Sequence, residues 1–488
     1  MSRFSGVDLA IVVAYTLGVT AFGIWLGRRQ KDARDYFLAD RSIPWWAVCF
    51  SVVATETSVL TFISVPATAY TSDLWMLQLA AGYLLGRMAV AALLLPGYFT
   101  GELATAYALL ERRFGPVTRR FASLVFLVTR ALGSSVRLFA SAIPLKLVTG
   151  LPYWQAIALT GAVTLVYTYY GGLRAVVWVD VVQMVVFLAG AGAALWMLLR
   201  KVPGGWSGFV AAAAPAHKLR ILHLDGGFAD AKWVLTGLVG GAFLSMASHG
   251  VDHLIVQRLL AARSLGDARK ALVASGVAVM GLFALFLVIG IGLYAHNGGA
   301  AFARPDEVFP RFIVNDLPPG VGGLVIAAIF SIAMSSEASA INSLASVLTH
   351  DLYAPLAGRE GDDAHLMGVG RRFTLAAGAA LVGGAILFQL AATGTPIVIV
   401  ALQIASFTYG GLLGGFLLGL LSPRADGHDA VAGMAVAIGG MAALWAAQQF
   451  GGLPRRVDTL WFTLLGAALT LGAGEASRRL RRSTGRAA

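Results

Sequence analysis

Residues 51–64, SVVATETSVLTFIS, place Thr55, Glu56, Thr57, Ser58 and Thr61 inside an otherwise apolar run. A carboxylate with hydroxyls in such surroundings is costly, and at membrane depth it marks a site by default. Consecutive polar residues encircle a helix rather than sharing one face. Their hydroxyls also compete with the helical hydrogen bonds. A local break there would release carbonyl oxygens, which are tolerated in a membrane only where they line a cavity or hold an ion. The alternative is an intact helix whose hydroxyls bond back to the backbone, with Glu56 protonated or paired to an arginine. Glu56 tips the reading towards a site.

Three other stretches could do related chemistry. In residues 330–343, FSIAMSSEASAINS, Ser331, Ser335, Ser339 and Ser343 recur every four residues and share a helical face, with Ser336 beside it. Hydroxyl and carbonyl oxygens of that kind suit a monovalent cation such as sodium; a small-residue packing stripe is the competing reading. Glu337 lies in the same run, without an assigned face or role. Asp180 lies roughly 10 Å into its helix and needs a cation, a proton or a salt bridge. Arg130 and Arg137 are two turns apart on one face. Each must look into protein or a cavity, and Arg137 could take a substrate carboxylate or pair with an internal acid such as Glu56. Residues 240–258, GGAFLSMASHGVDHLIVQR, form a second candidate discontinuous helix. His249 within it is either a ligand or a hydrogen-bonded interior histidine. Asp252, Gln257 and Arg258 are expected at its cytoplasmic end, in a gate or loop network.

The elements that position these residues follow from composition. The 488 residues are 58% hydrophobic and 13% charged, about half the charge of a soluble domain. The chain reads as an all-α integral membrane protein. Its lone cysteine, Cys49, rules out an internal disulfide and a cysteine-based metal site. The net charge of +12 is read as loops facing anionic lipid, with no nucleic-acid partner. The first apolar run is followed by RRQKDARD and no small-residue cleavage site, so it reads as a retained helix.

Spanning-length runs fall at about 7–27, 44–70, 73–98, 120–149, 151–170, 173–199, 231–257, 269–295, 318–350, 371–391, 396–421, 429–448 and 457–477, which makes 13 predicted transmembrane helices. With the N-terminus outside, cytoplasmic segments hold 23 Lys and Arg and outer segments 10; Arg87, Arg130, Arg137 and Lys146 lie within helices. That excess predicts an N-outside, C-cytoplasmic, multi-pass protein of the cell inner (plasma) membrane. The five basic residues of loop 200–232 run against the rule. No extramembrane stretch is long enough for a separate folded domain.

The segments DYFLADRSIPWWAV, YYGGLRAVVWVDVVQ, FLSMASHGVDHLIVQRLLAARS and AMSSEASAINSLASVLTHDLY, in this order, resemble the sodium:solute symporter family of sodium–glucose, sodium–proline, sodium–sialic-acid and sodium–monocarboxylate transporters. The likeness runs from about residue 5 to 475. It implies a LeuT-type fold, an inverted five-helix repeat whose first helix is broken at mid-membrane. The expected layout is an N-terminal extra helix and cytoplasmic loop at 1–43, a first repeat at 44–200, an outer loop at 201–230, a second repeat at 231–425, and two C-terminal helices with a basic tail at 426–488.

The resemblance also implies residues. A sodium site would use carbonyls of Ala54, Thr57 and Ile332 and hydroxyls of Ser335 and Ser336. A second sodium site, present in some members, would use Asp180, Ser335 and Ser339. Here Ala338 stands where the family usually has a hydroxyl, so one ligand is missing. Substrate would lie against Glu56, Ser58, Thr61, Gln78 and Arg137, with Ser245 and His249 across the cavity. Sialic-acid transporters bind the carboxylate through an arginine at the position of Arg137. Glu56 departs from the usual uncharged residue, and could bind a substrate hydroxyl or amine, pair with Arg137 or carry a proton.

The expected function is sodium-coupled symport of a small polar solute, with an organic acid or acidic sugar favoured over a neutral sugar or amino acid. Sodium is the coupling ion, with no organic cofactor; the partners are the solute and the bilayer, with no obligate protein partner evident. Proton coupling through Glu56 is the alternative within transport. A membrane enzyme or sensor is disfavoured, because no HExxH pattern or soluble catalytic region is present.

Overall fold

A computed structural model describes residues 5–28, 32–101, 103–302, 305–391, 397–450 and 457–483. Arg3, Arg29, Lys31, Arg304, Arg455, Arg456 and Arg486, which enter the charge count, lie outside the described residues, as does Pro396 at the start of one predicted helix. The described residues are mainly helical. They contain no named strand, and one isolated bridge joins Ile43 to Ala262.

In chain order the main helices are α1 (Gly6–Gly27), α2 (Trp45–Glu56), α3 (Val59–Thr71), α4 (Met76–Leu93), α5 (Pro116–Thr149), α6 (Tyr153–Lys201), α7 (Gly241–Gly250), α8 (His253–Leu260), α9 (Leu265–His296), α10 (Val321–Val347), α11 (Asp363–Ala391), α12 (Ile397–Leu421), α13 (Gly427–Phe450) and α14 (Phe462–Ser483). Helix occupies each of the predicted segments. Among the described residues, eight helices are long and apolar enough to cross a membrane, or nine if the bent pair α2–α3 is one span.

α6 holds two predicted segments in one run. Gly172, at φ 52° and ψ −160°, bends it between them, a conformation only glycine adopts readily. α10 is the central element: 94% of its apolar window is buried inside the protein, against 17% for α1. Its hydroxyls therefore face other helices, not lipid. α4 approaches the second discontinuous segment through Gly82 and Gly86. A Cβ at these positions would stand 2.3 Å from the Gly237 carbonyl oxygen and 2.2 Å from that of Ala242. This is the close helix approach that small residues one turn apart allow.

Candidate functional site

The TETS stretch is where the second predicted helix breaks. α2 ends at Glu56, Thr57 is extended at φ −67° and ψ 130°, and Ser58 at φ −122° and ψ 166° caps α3. The two halves meet at a bend of 66°. The break is held by reciprocal capping: Ser58 Oγ accepts from the Thr61 amide (3.4 Å), and Thr61 Oγ1 accepts from the Ser58 amide (3.3 Å). In an unbroken helix that Ser58 amide would bond the carbonyl of Ala54. Its turn to Thr61 removes that helical partner from the Ala54 oxygen.

A second break separates α7 from α8 at Val251 and Asp252, where ψ of Asp252 is 116°. Asp252 caps α8 by accepting from the Leu254 amide (3.0 Å). Its other oxygen takes an ion pair from Arg130 of α5 and a hydrogen bond from Tyr409 of α12 (2.6 Å). Arg130 also donates to Tyr409 (3.1 Å). Asp252 is thus a buried anchor at the break itself.

Two of the expected sodium ligands, Thr57 and Ser336, meet where α10 packs against the first break. Ser336 Oγ donates to the Thr57 carbonyl (3.3 Å), and Ala54, Ile332, Ser335 and Ser336 are all buried. Ser335 Oγ is instead turned to Asp180 Oδ1 (2.6 Å). The donor set is oxygen only, and includes a carbonyl freed by the break. That chemistry fits a small hard monovalent cation.

The expected second sodium residues also converge, but around a different cation. Asp180 Oδ2 accepts from Ser51 (2.5 Å) and lies 3.5 Å from Arg258 Nη2. The same guanidinium donates to Ser51 Oγ (2.9 Å), to the Leu254 carbonyl (2.7 Å) and to Ser339 Oγ. Arg258 and Asp180 are both fully buried. Arg258 therefore does not sit in a loop: its helix extends to Leu260, and the guanidinium is buried between α2, α6 and α10. Gln257 is likewise buried, donating to Asn342 Oδ1 (2.8 Å) and the Phe37 carbonyl (3.0 Å).

The expected substrate residues divide. Glu56 pairs with Arg87 of α4, which is fully buried and also donates to Ser275 (2.7 Å). His249 Nε2 lies 3.5 Å from the same carboxylate oxygen, and its Nδ1 lies 2.8 Å from Ser248 Oγ. Ser58 and Thr61 are half-buried. Ser245 donates to the Tyr83 carbonyl (2.9 Å). The amide of Gln78 is committed to the outer loop: it donates to the Lys232 carbonyl (2.9 Å) and accepts from the His223 amide (3.0 Å). Arg137 is half-buried and, among the described residues, has no hydrogen-bond or ion-pair partner. Its charged neighbours are Arg130, Glu337 and Asp252. Glu337 is buried with Oε2 unpartnered, and the charges it faces are Arg137 and Arg130. Sequence reasoning missed Arg87 as the partner of Glu56. The available signal was that a fully apolar neighbourhood obliges a mid-helix arginine to find an acid.

The profile of the sodium:solute symporter family matches residues 36–437. The sodium/sialic acid symporter SiaT of Proteus mirabilis (strain HI4320) is 29% identical over 462 residues, which covers 89% of this chain and 88% of that protein. The sodium/glucose cotransporter of Vibrio parahaemolyticus is 28% identical, covering 89% and 84%. A solved structure of a Na+-coupled sialic acid symporter, in a substrate-bound outward-open state, superposes with a TM-score of 0.87 at 27% identity over 98% of both chains. These relatives are transporters, so the enzyme and sensor readings fall away, and sodium stands as the coupling ion. The chain belongs to the sodium:solute symporter family and is a sodium-coupled solute transporter.

Proposed function

We propose that the solute is a small organic carboxylate, an acidic sugar foremost, carried with sodium by alternating access. The supporting observation is Arg137. Arg87, Arg130 and Arg258 each hold an internal acid in an ion pair, whereas half-buried Arg137 faces Glu337 but makes no ion pair among the described residues. A planar guanidinium whose hydrogen bonds are not taken up by the protein matches a ligand carboxylate in bidentate fashion. The similarity to sialic acid symporters points the same way, since sialate is an acidic sugar.

Sodium would be held by the carbonyls of Ala54, Thr57 and Ile332 and the hydroxyls of Ser335 and Ser336. Glu56, Ser58 and Thr61 directly adjoin the Thr57 ligand. An ion that ties the break to α10 would therefore also fix the substrate-facing residues, and each ligand would favour the state that binds the other. Ser245 and His249 would line the opposite wall. Gln78 serves the outer loop more than the cavity. Glu56, held by Arg87 and His249, is a shaping residue rather than the proton carrier.

The inferred topology is thirteen crossings with the N-terminus outside. The inverted repeats would be 44–200 and 231–425, each opening with one broken helix. Residues 1–43, 201–230 and 426–488 would form the extra N-terminal helix with its loop, the outer loop, and the two C-terminal helices with the tail.

The test is a ligand panel on the purified protein in saturating sodium: N-acetylneuraminate, simple monocarboxylates, neutral sugars and amino acids, read by thermal stabilisation. Stabilisation by a carboxylate, lost in Arg137→Gln, supports the reading. Stabilisation by a neutral sugar that Arg137→Gln leaves intact contradicts it.

A further inference from the structure

We propose that the Arg258 guanidinium is the built-in cation of Asp180, and that this chain consequently binds a single sodium ion. The inference rests on the sodium coupling proposed above and concerns how many ions it uses.

The hydrogen bonds around Asp180 form a closed set. Ser335 Oγ donates to Oδ1 and Ser51 Oγ to Oδ2, so both carboxylate oxygens are engaged from within. Ser51 Oγ accepts from Arg258 Nε, and Ser339 Oγ accepts from Arg258 Nη2 while donating to the Ser335 carbonyl (2.6 Å). The Ser51 and Ser339 hydroxyls thus present lone pairs to the guanidinium at the place where a sodium ion would need them. Thr55 closes the remaining side: its Oγ1 donates to the Ser51 carbonyl (2.7 Å) and lies 3.2 Å from Ser339 Oγ.

The neighbouring turn of α10 offers nothing in exchange. Ala338 is fully buried in an apolar cluster with Val19, Tyr167, Val176, Val179 and Met334. Charge gives the same answer. One carboxylate and one guanidinium already balance, and both side chains are essentially without exposure. A sodium ion added there would be an uncompensated charge in a dry interior, which is strongly unfavourable. Arg258 also has its own structural tether. Through it the inner half of the second broken helix is tied to α2, α6 and α10, so this cation stays with the protein rather than being drawn from the gradient.

Sodium equivalents bound by the purified full-length protein decide the matter, measured by equilibrium binding of radioactive sodium. The expected result is one equivalent, without cooperativity, lost in Ser336→Ala. Ser339→Ala should keep that equivalent with affinity changed by no more than about twofold. Asp180→Asn combined with Arg258→Gln removes carboxylate and cation together, and should also keep it. Two equivalents in the wild-type protein would overturn this inference while leaving sodium coupling standing. So would loss of sodium binding in Ser339→Ala or in a cooperatively melting double variant. A wild-type protein that binds no sodium would overturn both.

Discussion

Glu56, the carboxylate at the first helix break, is paired with Arg87 and not with Arg137. Arg87 reaches it from α4 with no exposure to solvent, so the negative charge at the break is neutralised inside the protein without Arg137. Glu56→Gln should leave a buried arginine without its acid, at a cost of about 3–5 kcal/mol. Glu56→Gln combined with Arg87→Met should recover much of that loss. Melting of the four proteins in a double-mutant cycle measures the coupling.

Arg137→Gln should leave sodium-dependent stabilisation intact and weaken carboxylate binding by about 10- to 100-fold, since hydrogen bonds to charged groups contribute about 1.5–3 kcal/mol. Arg137→Lys should fall between, because a lysine keeps the charge and loses the planar fork. Ligand titrations at fixed sodium make the comparison.

Gln78→Ala should act on the outer loop. Its side chain joins the loop at His223 and Lys232, so the expected result is faster hydrogen exchange across residues 220–235. Carboxylate affinity should change by less than about threefold, the scale of one modest hydrogen bond.

The Gly82 and Gly86 contact should tolerate no side chain. Gly86→Ala would set a methyl group against the Ala242 carbonyl, and the expected cost is about 1–3 kcal/mol from overpacking. A lowered melting point with a full-strength sodium response would place the effect in packing.

The first break was legible because Thr55, Glu56, Thr57 and Ser58 cannot all be buried on one face of a helix, and the structure resolves the conflict with a capping box between Ser58 and Thr61. The serine stripe was legible for the same periodic reason: α10 faces protein all round, so its hydroxyls had to meet partners. The second break was located only to a segment. Its marker, Asp252, is an ordinary N-cap residue, and its buried role depends on Arg130 and Tyr409, 122 and 157 residues away in the chain. The helical, buried setting of Arg258 was not legible because hydropathy ends its helix near residue 257, and a terminal arginine then looks like part of a basic loop. Only the bundle's packing brings Asp180, 78 residues earlier, within its reach. Pairings of this kind, Glu56 with Arg87 included, are set by tertiary neighbours and leave no local spacing to read.

A single sodium ion with a monocarboxylate carries no net charge. Accumulation in proteoliposomes should then follow the sodium gradient and change by less than about twofold when an inside-negative potential of about 100 mV is imposed. One net charge would add about 2.3 kcal/mol, or roughly fiftyfold.

The most direct test of the account is thermal stability of the purified protein against sodium, with choline holding ionic strength constant, for wild type and Ser336→Ala. The account predicts a saturable, sodium-specific rise in the wild-type melting point, of about 2.7 kcal/mol in free energy at a hundredfold excess over Kd, and a much weaker response in Ser336→Ala. Equal melting in sodium and choline, or an undiminished sodium response in Ser336→Ala, would contradict it.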